Sequence, residues 1–447
     1  MARNGSARKN IAVIGSGISG LSAAWLLGRR HRVTVYEQND RIGGHSNTVT
    51  VTTPGTSTAV DTGFIVYNEA TYPNLVAMFD HLGVETQPTD MSFAASLQNG
   101  LEYSGNNLAG LFAQKRNLFR PRFWSMLNDL RRFYRDATRD APRIDDALTM
   151  RDYLDAGRFG SAFREDHLLP MAAAIWSAPC SAILDYPAAS FIRFHENHGL
   201  LRLRDRPVWR TVVGGSRAYV EKLSSSFADG IRTGTAAVSV ERTVGSVIVR
   251  DNNGHAETFD DVVIAAHADQ ALAMLKDPDA EERDLLGVFR YSKNSAFLHS
   301  DAALMPRRRA AWASWNYIEQ EGSGDLATPA VTYWMNLLQQ IPGERQYFVT
   351  LNPPREPSSA WHREVYEHPL FDSAAISAQR HLHRLQGRNR TWFCGSYFGA
   401  GFHEDGLQAG LAVAEALGGV RRPWTVAAES GRIHLGETRS AARELAA

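Results

Sequence analysis

The residues with the clearest chemical use lie near the N-terminus, where Gly15-Ser16-Gly17-Ile18-Ser19-Gly20 forms the pattern G-x-G-x-x-G. Between a buried strand and a helix, the first glycine of this pattern allows a tight turn and the second lets the backbone approach a pyrophosphate. The helix N-terminus then offers free N–H groups and a positive dipole end to the phosphates. Glu37 ends the next predicted strand and is placed to accept hydrogen bonds from ribose hydroxyls. These residues predict a dinucleotide site; the alternative is a glycine-rich turn without a ligand.

A second glycine motif, Arg41-Ile42-Gly43-Gly44-His45, follows that acid directly. A nicotinamide site needs nothing in particular at this position. Two consecutive glycines let the backbone press against a large planar ligand, and Arg41 is placed to reach a phosphate. The combined pattern E-x-x-x-R-x-G-G resembles the flavin amine oxidase and phytoene desaturase superfamily. That resemblance implies FAD as the cofactor.

Further stretches across the chain resemble the same superfamily and imply more cofactor contacts. Gly63 and Phe64 would lie along the flavin ring, and Val238 would contact the adenine through its backbone. A closing strand would deliver Gly395 and Ser396, and a helix starting near Asp405 would turn its amides toward the pyrimidine edge of the flavin. The predicted cofactor residues are Gly15, Ser16, Gly17, Ile18, Ser19, Gly20, Glu37, Gln38, Arg41, Gly43, Gly44, His45, Gly63, Phe64, Val238, Ala265, Gly395, Ser396, Asp405, Gly406 and Leu407.

The two cysteines bear on both the flavin linkage and the compartment. Covalent members of the superfamily attach the flavin to a cysteine well before the closing motif, whereas Cys394 lies inside the closing strand, so we expect non-covalent FAD. Cys180 and Cys394 build no disulfide framework, which favours a reducing compartment.

The short, polar N-terminus resembles no signal peptide, and no apolar run is long enough to span a membrane. We expect a cytoplasmic protein, and association with the inner face of the membrane is left open.

The nearest resemblance within the superfamily concerns the substrate. The stretches "WSAPC", "RPVWRTVVGGS", "AWASWNY" and "GFHEDGLQAG" are similar to a bacterial subgroup containing FAD-dependent fatty-acyl desaturases of furan fatty acid synthesis. This implies hydride transfer from a substrate C–H bond to flavin N5, with a lipid acyl chain as substrate. The alternatives are an amine oxidase, for which Tyr397 could supply an aromatic wall, and a non-enzymatic FAD-containing protein.

Two residues are candidates for catalysis. His403 precedes the closing helix and has a suitable intrinsic pKa for a base, although a hydrogen bond to FAD or backbone is the alternative role. The resemblance implies a lysine that holds a water opposite flavin N5, and Lys293 is the candidate, with Asn294 as the alternative. His195 and His198 lack the spacing that places two imidazoles on one helical face, so a structural or pocket-lining role is predicted and no metal site.

A basic segment from Leu111 to Asp140 is the most unusual feature outside these motifs. Its apolar residues recur at three- and four-residue spacing, which is typical of one face of a helix. A basic amphipathic helix with aromatic residues suits an anionic membrane surface, and a solvated helix packed on the protein is the alternative. The predicted stripe is Phe119, Phe123, Met126, Leu127, Leu130 and Tyr134, and the basic residues are Lys115, Arg116, Arg120, Arg122, Arg131, Arg132 and Arg135.

The order of the motifs predicts an α/β protein. A Rossmann-type FAD-binding domain is expected from three segments, 8–70, 210–275 and 388–425, with an α+β substrate domain of mixed sheet and helical insert from 71–209 and 276–387. Residues 426–447 are expected to form a tail. The formal net charge of zero supplies no field for nucleic acid, so a small-molecule or lipid substrate is the expected partner. The oligomeric state stays open.

Overall fold

A computed structural model describes residues 7–145, 147–176, 179–202, 205–319 and 330–436. The strands are β1 (Asn10–Ile14), β2 (Arg32–Tyr36), β3 (Thr48–Thr53), β4 (Thr56–Asp61), β5 (Tyr67–Asn68), β6 (Thr86–Thr89), β7 (Phe93–Ser96), β8 (Glu102–Ser104), β9 (Trp209–Val212), β10 (Ile231–Arg232), β11 (Ala237–Arg242), β12 (Val247–Asp251), β13 (Ala256–Phe259), β14 (Asp261–Ile264), β15 (Arg290–His299), β16 (Trp315–Ile318), β17 (Ala330–Trp334), β18 (Phe348–Leu351), β19 (Ala360–Leu370) and β20 (Thr391–Phe393). The α-helices are α1 (Ile18–Gly28), α2 (Pro73–Leu82), α3 (Leu108–Leu111), α4 (Pro121–Asp140), α5 (Met150–Ala156), α6 (Ser161–Phe163), α7 (Leu169–Trp176), α8 (Cys180–Leu184), α9 (Ala188–Asn197), α10 (Arg217–Ser224), α11 (Ala268–Met274), α12 (Ala280–Leu286), α13 (Met335–Leu338), α14 (Ser373–Gln379) and α15 (His403–Gly418).

A parallel sheet of five strands, ordered β10-β2-β1-β14-β20, forms the centre of the predicted dinucleotide-binding part. Its three central strands are short and almost entirely apolar, as expected for a sheet covered on both faces. The strands come from all three predicted segments, so residues far apart in the chain meet at one sheet. The predicted Rossmann-type fold is confirmed.

Helices α1 and α15 pack together at glycine positions. A Cβ at Gly410 would lie 2.2 Å from the backbone oxygen of Ser19, and one at Gly406 would lie 2.7 Å from the Ser19 hydroxyl. Only the missing side chains allow the two helices to approach so closely. The helix predicted to start near Asp405 begins two residues earlier, at His403.

A second, mixed sheet has seven strands in the order β19-β15-β18-β17-β16-β7-β8. The β16–β7 pair is parallel, and the other pairs are antiparallel. Trp315 in β16 lies opposite Tyr333 in β17. All seven strands come from residues 71–209 and 276–387, and the role of this part in binding substrate stays a prediction.

The basic segment differs from the single helix that its periodicity predicted. It contains α3, a 3-10 helix at Lys115–Phe119 and then α4, which begins at Pro121 because proline suits the first position of a helix. Within the predicted stripe, Phe123 and Met126 are buried in a small apolar cluster, whereas Phe119 lies before α4 and is exposed. The apolar face of α4 therefore packs on the protein itself.

The described part of the predicted tail is tied to the closing helix. Arg432 forms an ion pair of 2.6 Å with the buried Asp405, and its backbone N–H donates to Gln408. Ile433 is buried in the main apolar core. Among the described residues, no helix is both long and apolar enough to cross a membrane.

Candidate cofactor and substrate site

A cavity of about 1190 Å³ extends from the glycine-rich loop to the space between the mixed sheet and the helices. Its walls include most of the residues predicted to bind the cofactor. The predicted residues that line it are Gly15, Ser16, Gly17, Ile18, Ser19, Glu37, Gln38, Arg41, Gly43, Gly44, His45, Gly63, Phe64, Ala265, Gly395 and Ser396.

The glycine-rich loop has the shape that a phosphate cradle requires. Gly15 adopts φ of +100°, and a Cβ there would lie 2.6 Å from the backbone oxygen of Ala265. A Cβ at Gly20 would lie 1.9 Å from the oxygen of Gly15, so only glycine allows α1 to pack against the turn. Gly20 itself does not line the cavity. At Gly17, by contrast, a Cβ would meet no atom within 4 Å. The open space beside Gly17 is where a pyrophosphate fits.

Glu37 is buried next to this loop. One carboxylate oxygen accepts hydrogen bonds from the backbone N–H and the hydroxyl of Ser16, at 3.0 and 2.5 Å. The other oxygen accepts from the backbone N–H of Asn39 at 2.9 Å. Glu37 therefore fixes the loop, and the oxygen that accepts from Asn39 keeps a lone pair that a ribose hydroxyl could use.

The second glycine motif lies directly beside the first. A Cβ at Gly44 would approach the Cα of Gly17 to 3.1 Å, and Gly43 and Gly44 both have positive φ. Arg41 donates to the backbone oxygen of Gly44 at 2.8 Å and pairs with Glu364 at 3.0 Å. The two motifs thus form one continuous wall, with a fixed guanidinium at its rim.

Sequence analysis missed the contribution of β19 to this wall. Glu364 meets Arg41, and the rings of Tyr366 and His368 lie 5.0 and 5.4 Å from the ring of His45. These side chains alternate along the strand, and that alternation of polar residues was the available signal. Nε2 of His45 is buried without a partner among the described residues, and it lines the cavity where a cofactor group could meet it.

The residues expected along the flavin ring are arranged around Phe64. A Cβ at Gly63 would lie 2.1 Å from the oxygen of His45, so only glycine fits between the two segments. The Phe64 ring stacks on His403, with centroids 3.8 Å apart and planes inclined by 10°. A hydrogen bond of 2.7 Å joins Nε2 of His403 to the hydroxyl of Tyr219.

Burial lowers the pKa of His403 to about 3, so its ring is neutral at ordinary pH. A neutral imidazole can accept a proton, but here Nε2 is already engaged with Tyr219. Phe64 and Tyr219 hold the His403 ring in a fixed position at the cavity wall. Its role as a base stays a prediction.

The other catalytic candidate, Lys293, lies at the rim of the cavity. Its side chain is 77% exposed, and Nζ lies 3.5 Å from a carboxylate oxygen of Glu367. The neighbouring Asn294 is buried, and its amide donates to Nδ1 of His368 at 3.0 Å. Of the two alternatives considered for this position, Asn294 is the deeper one.

Other predicted cofactor residues lie behind the wall. Asp405 accepts from the backbone N–H of Phe402 at 2.8 Å and so closes the N-terminus of α15, while Gly406 packs on α1. Leu407 is buried in the apolar core. Val238 is half exposed and does not line the cavity, whereas its neighbours Ala236 and Ala237 do.

Two histidines noted in the sequence have separate places. His195 and His198 each donate from Nδ1 to the backbone oxygen four residues earlier in α9. His198 lines the cavity, and His195 packs against Phe191 with ring centroids 4.0 Å apart. Burial lowers the pKa of His195 to about 4 and that of His198 to about 3, so both are neutral.

Comparison with known proteins agrees with this geometry. Residues 18–324 match the family described as flavin containing amine oxidoreductase. The chain belongs to that family, which makes it by family an FAD-dependent oxidoreductase. A short stretch is 51% identical over 53 residues to an L-amino-acid oxidase from Bungarus fasciatus, which spans 11% of this chain and only 10% of that relative.

Solved structures show the same fold along nearly the whole chain. A putrescine oxidase bound to putrescine has a TM-score of 0.66 at 13% identity, covering 92% of this chain and 99% of that one. A putative protoporphyrinogen oxidase from Exiguobacterium sp. 255-15 and a CLA-producing fatty acid isomerase from P. acnes each have a TM-score of 0.65 at 14% identity, covering 93% of this chain and 99% of theirs. These likenesses define the fold, and the cradle described above suits the FAD that the family binds.

Proposed function

We propose that the protein is an FAD-dependent oxidoreductase that removes hydrogen from a lipid acyl chain, as a desaturase does. The charge of the cavity wall carries this proposal. At the end between the mixed sheet and the helices the wall is apolar, and its residues include Phe93, Leu111, Leu127, Leu130, Met171 and Ile175.

The acidic residues that line the described cavity all lie at the cofactor end. They are Glu37 beside Ser16, Glu364 beside Arg41, and Glu367 beside His267 and Lys293. The charged residue that acts on the apolar end is a cation, Arg206, whose field lowers the pKa of the buried His167 further. A cationic amine would meet no acidic side chain at the apolar end. The carboxylate or phosphate head of an acyl chain would meet Arg206 there.

The chain supplies binding, orientation and a dry cavity for this reaction. When bound, FAD supplies the two-electron oxidant that accepts hydride from the substrate. A proton must also leave the adjacent carbon for a double bond to form, and we propose His403 as its acceptor. The solved structure of a fatty acid isomerase with this fold supports an acyl substrate as a reasonable choice.

Anaerobic reduction of the bound flavin tests the proposal. Long-chain fatty acid and phospholipid in detergent should bleach the visible flavin absorbance, and a panel of amines should not. Arg206→Gln should raise the KM for a fatty acid more than for its methyl ester, and Arg202→Gln is the matched control because Arg202 does not line the cavity. Bleaching by amines alone would replace the proposal with an amine oxidase.

The amine oxidase remains the second candidate because of one residue. Tyr397 lies buried in the cavity wall, and its hydroxyl has no partner among the described residues. An aromatic ring there is compatible with a neutral amine held over a flavin. The same reduction assay decides between the two.

We also propose that the flavin is held without a covalent bond to cysteine. Neither Cys180 nor Cys394 lines the described cavity, and burial raises the pKa of the Cys394 thiol far above its usual value. Acid precipitation of the yellow protein should leave intact FAD in the supernatant. Flavin that stays with the pellet would contradict this arrangement.

A further inference from the structure

An exposed apolar patch with a basic border lies on the outer side of α3 and the start of α4. We define this docking patch as Leu108, Phe112, Leu118, Phe119 and Trp124. Phe119 is 86% exposed, Leu108 74% and Trp124 49%. Large apolar side chains grouped on a surface in this way mark an interaction site.

Four of the five members of the docking patch are linked by backbone or side-chain contacts. Leu108 lies one helical turn before Phe112, whose backbone N–H donates to its oxygen. The rings of Phe112 and Trp124 lie 6.1 Å apart, and the indole N–H of Trp124 donates to the oxygen of Leu118 at 2.9 Å. The patch is therefore a fixed and continuous surface, because the indole hydrogen bond ties α4 to the preceding 3-10 helix.

The segment that carries the patch is positively charged. No acidic residue occurs in the sequence between Glu102 and Asp129. Lys115, Arg116 and Arg120 lie in this stretch, and none of them forms an ion pair with a described residue. Arg309 is also exposed, and the backbone oxygen of its neighbour Ala310 would lie 3.5 Å from a Cβ at Gly110 in α3.

The same two helices also line the apolar end of the cavity. Leu111 lies one turn after Leu108 in α3, and Leu127 lies one turn after Trp124 in α4, and both line the cavity. Because residues three apart are neighbours on one side of a helix, the docking patch adjoins the apolar end of the cavity along both helices.

We infer that the docking patch binds the surface of an anionic lipid bilayer and brings the apolar end of the cavity to the acyl chains. Exposed aromatic and aliphatic side chains enter the headgroup region, and the unpaired cations meet the lipid phosphates. The purpose of the contact rests on the proposed acyl substrate, but the contact itself does not depend on turnover.

Flotation of the FAD-loaded protein with vesicles is the test. Vesicles of equal parts phosphatidylglycerol and phosphatidylcholine should carry the protein upward at low salt, and vesicles of phosphatidylcholine alone should carry much less. High salt should reduce flotation because the cations act through screened charge. The difference between the two vesicle types gives the electrostatic contribution to binding, and binding to phosphatidylcholine alone gives the apolar contribution.

Two variants with matched controls address the patch directly. Phe119→Ser with Trp124→Ser, and separately Lys115→Glu with Arg120→Glu, should each lower the bound fraction about tenfold or more. Val244→Ser removes an exposed apolar residue outside the patch, and Arg32→Glu with Arg250→Glu makes the same charge change outside the basic segment. Both controls should float like the wild type, and all variants should keep the flavin spectrum.

Wild-type protein that stays at the bottom, or patch variants that float normally, would overturn the inference. A dimer in size-exclusion chromatography that the Phe119→Ser, Trp124→Ser variant abolishes, without vesicle binding, would identify a protein interface instead. Protein that floats but is not reduced by any acyl substrate would keep the docking patch and refute only the proposed function.

Discussion

At the scale of single residues, a substitution at Gly17 should weaken cofactor binding without affecting folding. Its backbone φ is −67° and a Cβ there would touch no protein atom, so alanine fits the folded chain. The added methyl group would occupy the space of the pyrophosphate. We expect Gly17→Ala to fold with a normal melting curve and to bind FAD about tenfold more weakly or worse, the loss of roughly 1.4 kcal/mol or more.

The control for Gly17 is Gly245→Ala, which has equally open surroundings in a surface turn. Fluorescence titration of the apoprotein with FAD gives both dissociation constants. Equal FAD dissociation constants for Gly17→Ala and the wild type would show that the pyrophosphate does not bind at this loop. Gly20→Ala, which forces a Cβ against the oxygen of Gly15, should fail to fold instead.

Glu37 is expected to act on the ribose as well as on the loop. Glu37→Ala removes the oxygen that holds Ser16 and the oxygen that is open to a ribose hydroxyl, so we expect FAD binding to weaken by about 1–3 kcal/mol. Glu344→Ala, which removes an exposed acid that does not line the cavity, is the control. An unchanged dissociation constant for Glu37→Ala would contradict the ribose role.

At the scale of elements, the crossing of α1 and α15 should be intolerant of any side chain. The Cβ of Gly410→Ala would stand 2.2 Å from the oxygen of Ser19, so the helices must move apart. Overpacking of this kind costs about 1–3 kcal/mol, which chemical denaturation can measure. Ala416→Ser, on the exposed side of the same helix, should leave the free energy of unfolding nearly unchanged.

At the scale of the whole molecule, buried neutral histidines should make the protein sensitive to acid. Burial lowers the pKa of His167 and His195 to about 4 and that of His198 to about 3, against about 6.5 in the unfolded chain. Between about pH 6.5 and 4 the unfolded chain binds more protons, so the free energy of unfolding falls as the pH falls. Burial also raises the pKa of Asp61, to about 6, and those of Glu404 and Asp405, and these three carboxyls act in the opposite direction. The lowered pKa values of His299, His368 and His403 add to the histidine effect.

Melting temperatures measured from pH 7 to pH 4 should therefore decrease steadily. Replacing the buried His195 in His195→Gln should make the decrease shallower, and replacing the exposed His255 in His255→Gln should not. A melting temperature that stays constant or rises toward pH 4 would contradict the neutral histidines.

The sequence by itself determined the cofactor loop, because its features are local. A buried apolar strand, three glycines at fixed spacing and an acid after the next strand specify a turn and its neighbours within about forty residues. The order of the other motifs also determined that the FAD-binding sheet is assembled from separate segments. These patterns depend on backbone geometry and periodicity, which short stretches of sequence express directly.

Only the tertiary structure decided which distant side chains meet. Glu364 reaches Arg41, Arg432 reaches Asp405 and Arg206 reaches the apolar end of the cavity, each across a large separation in sequence. It also decided that the apolar stripe of α4 is buried while Phe119 and Trp124 are exposed. Periodicity shows that a helix has two faces, but which face meets the protein and which meets the surroundings depends on what packs beside it.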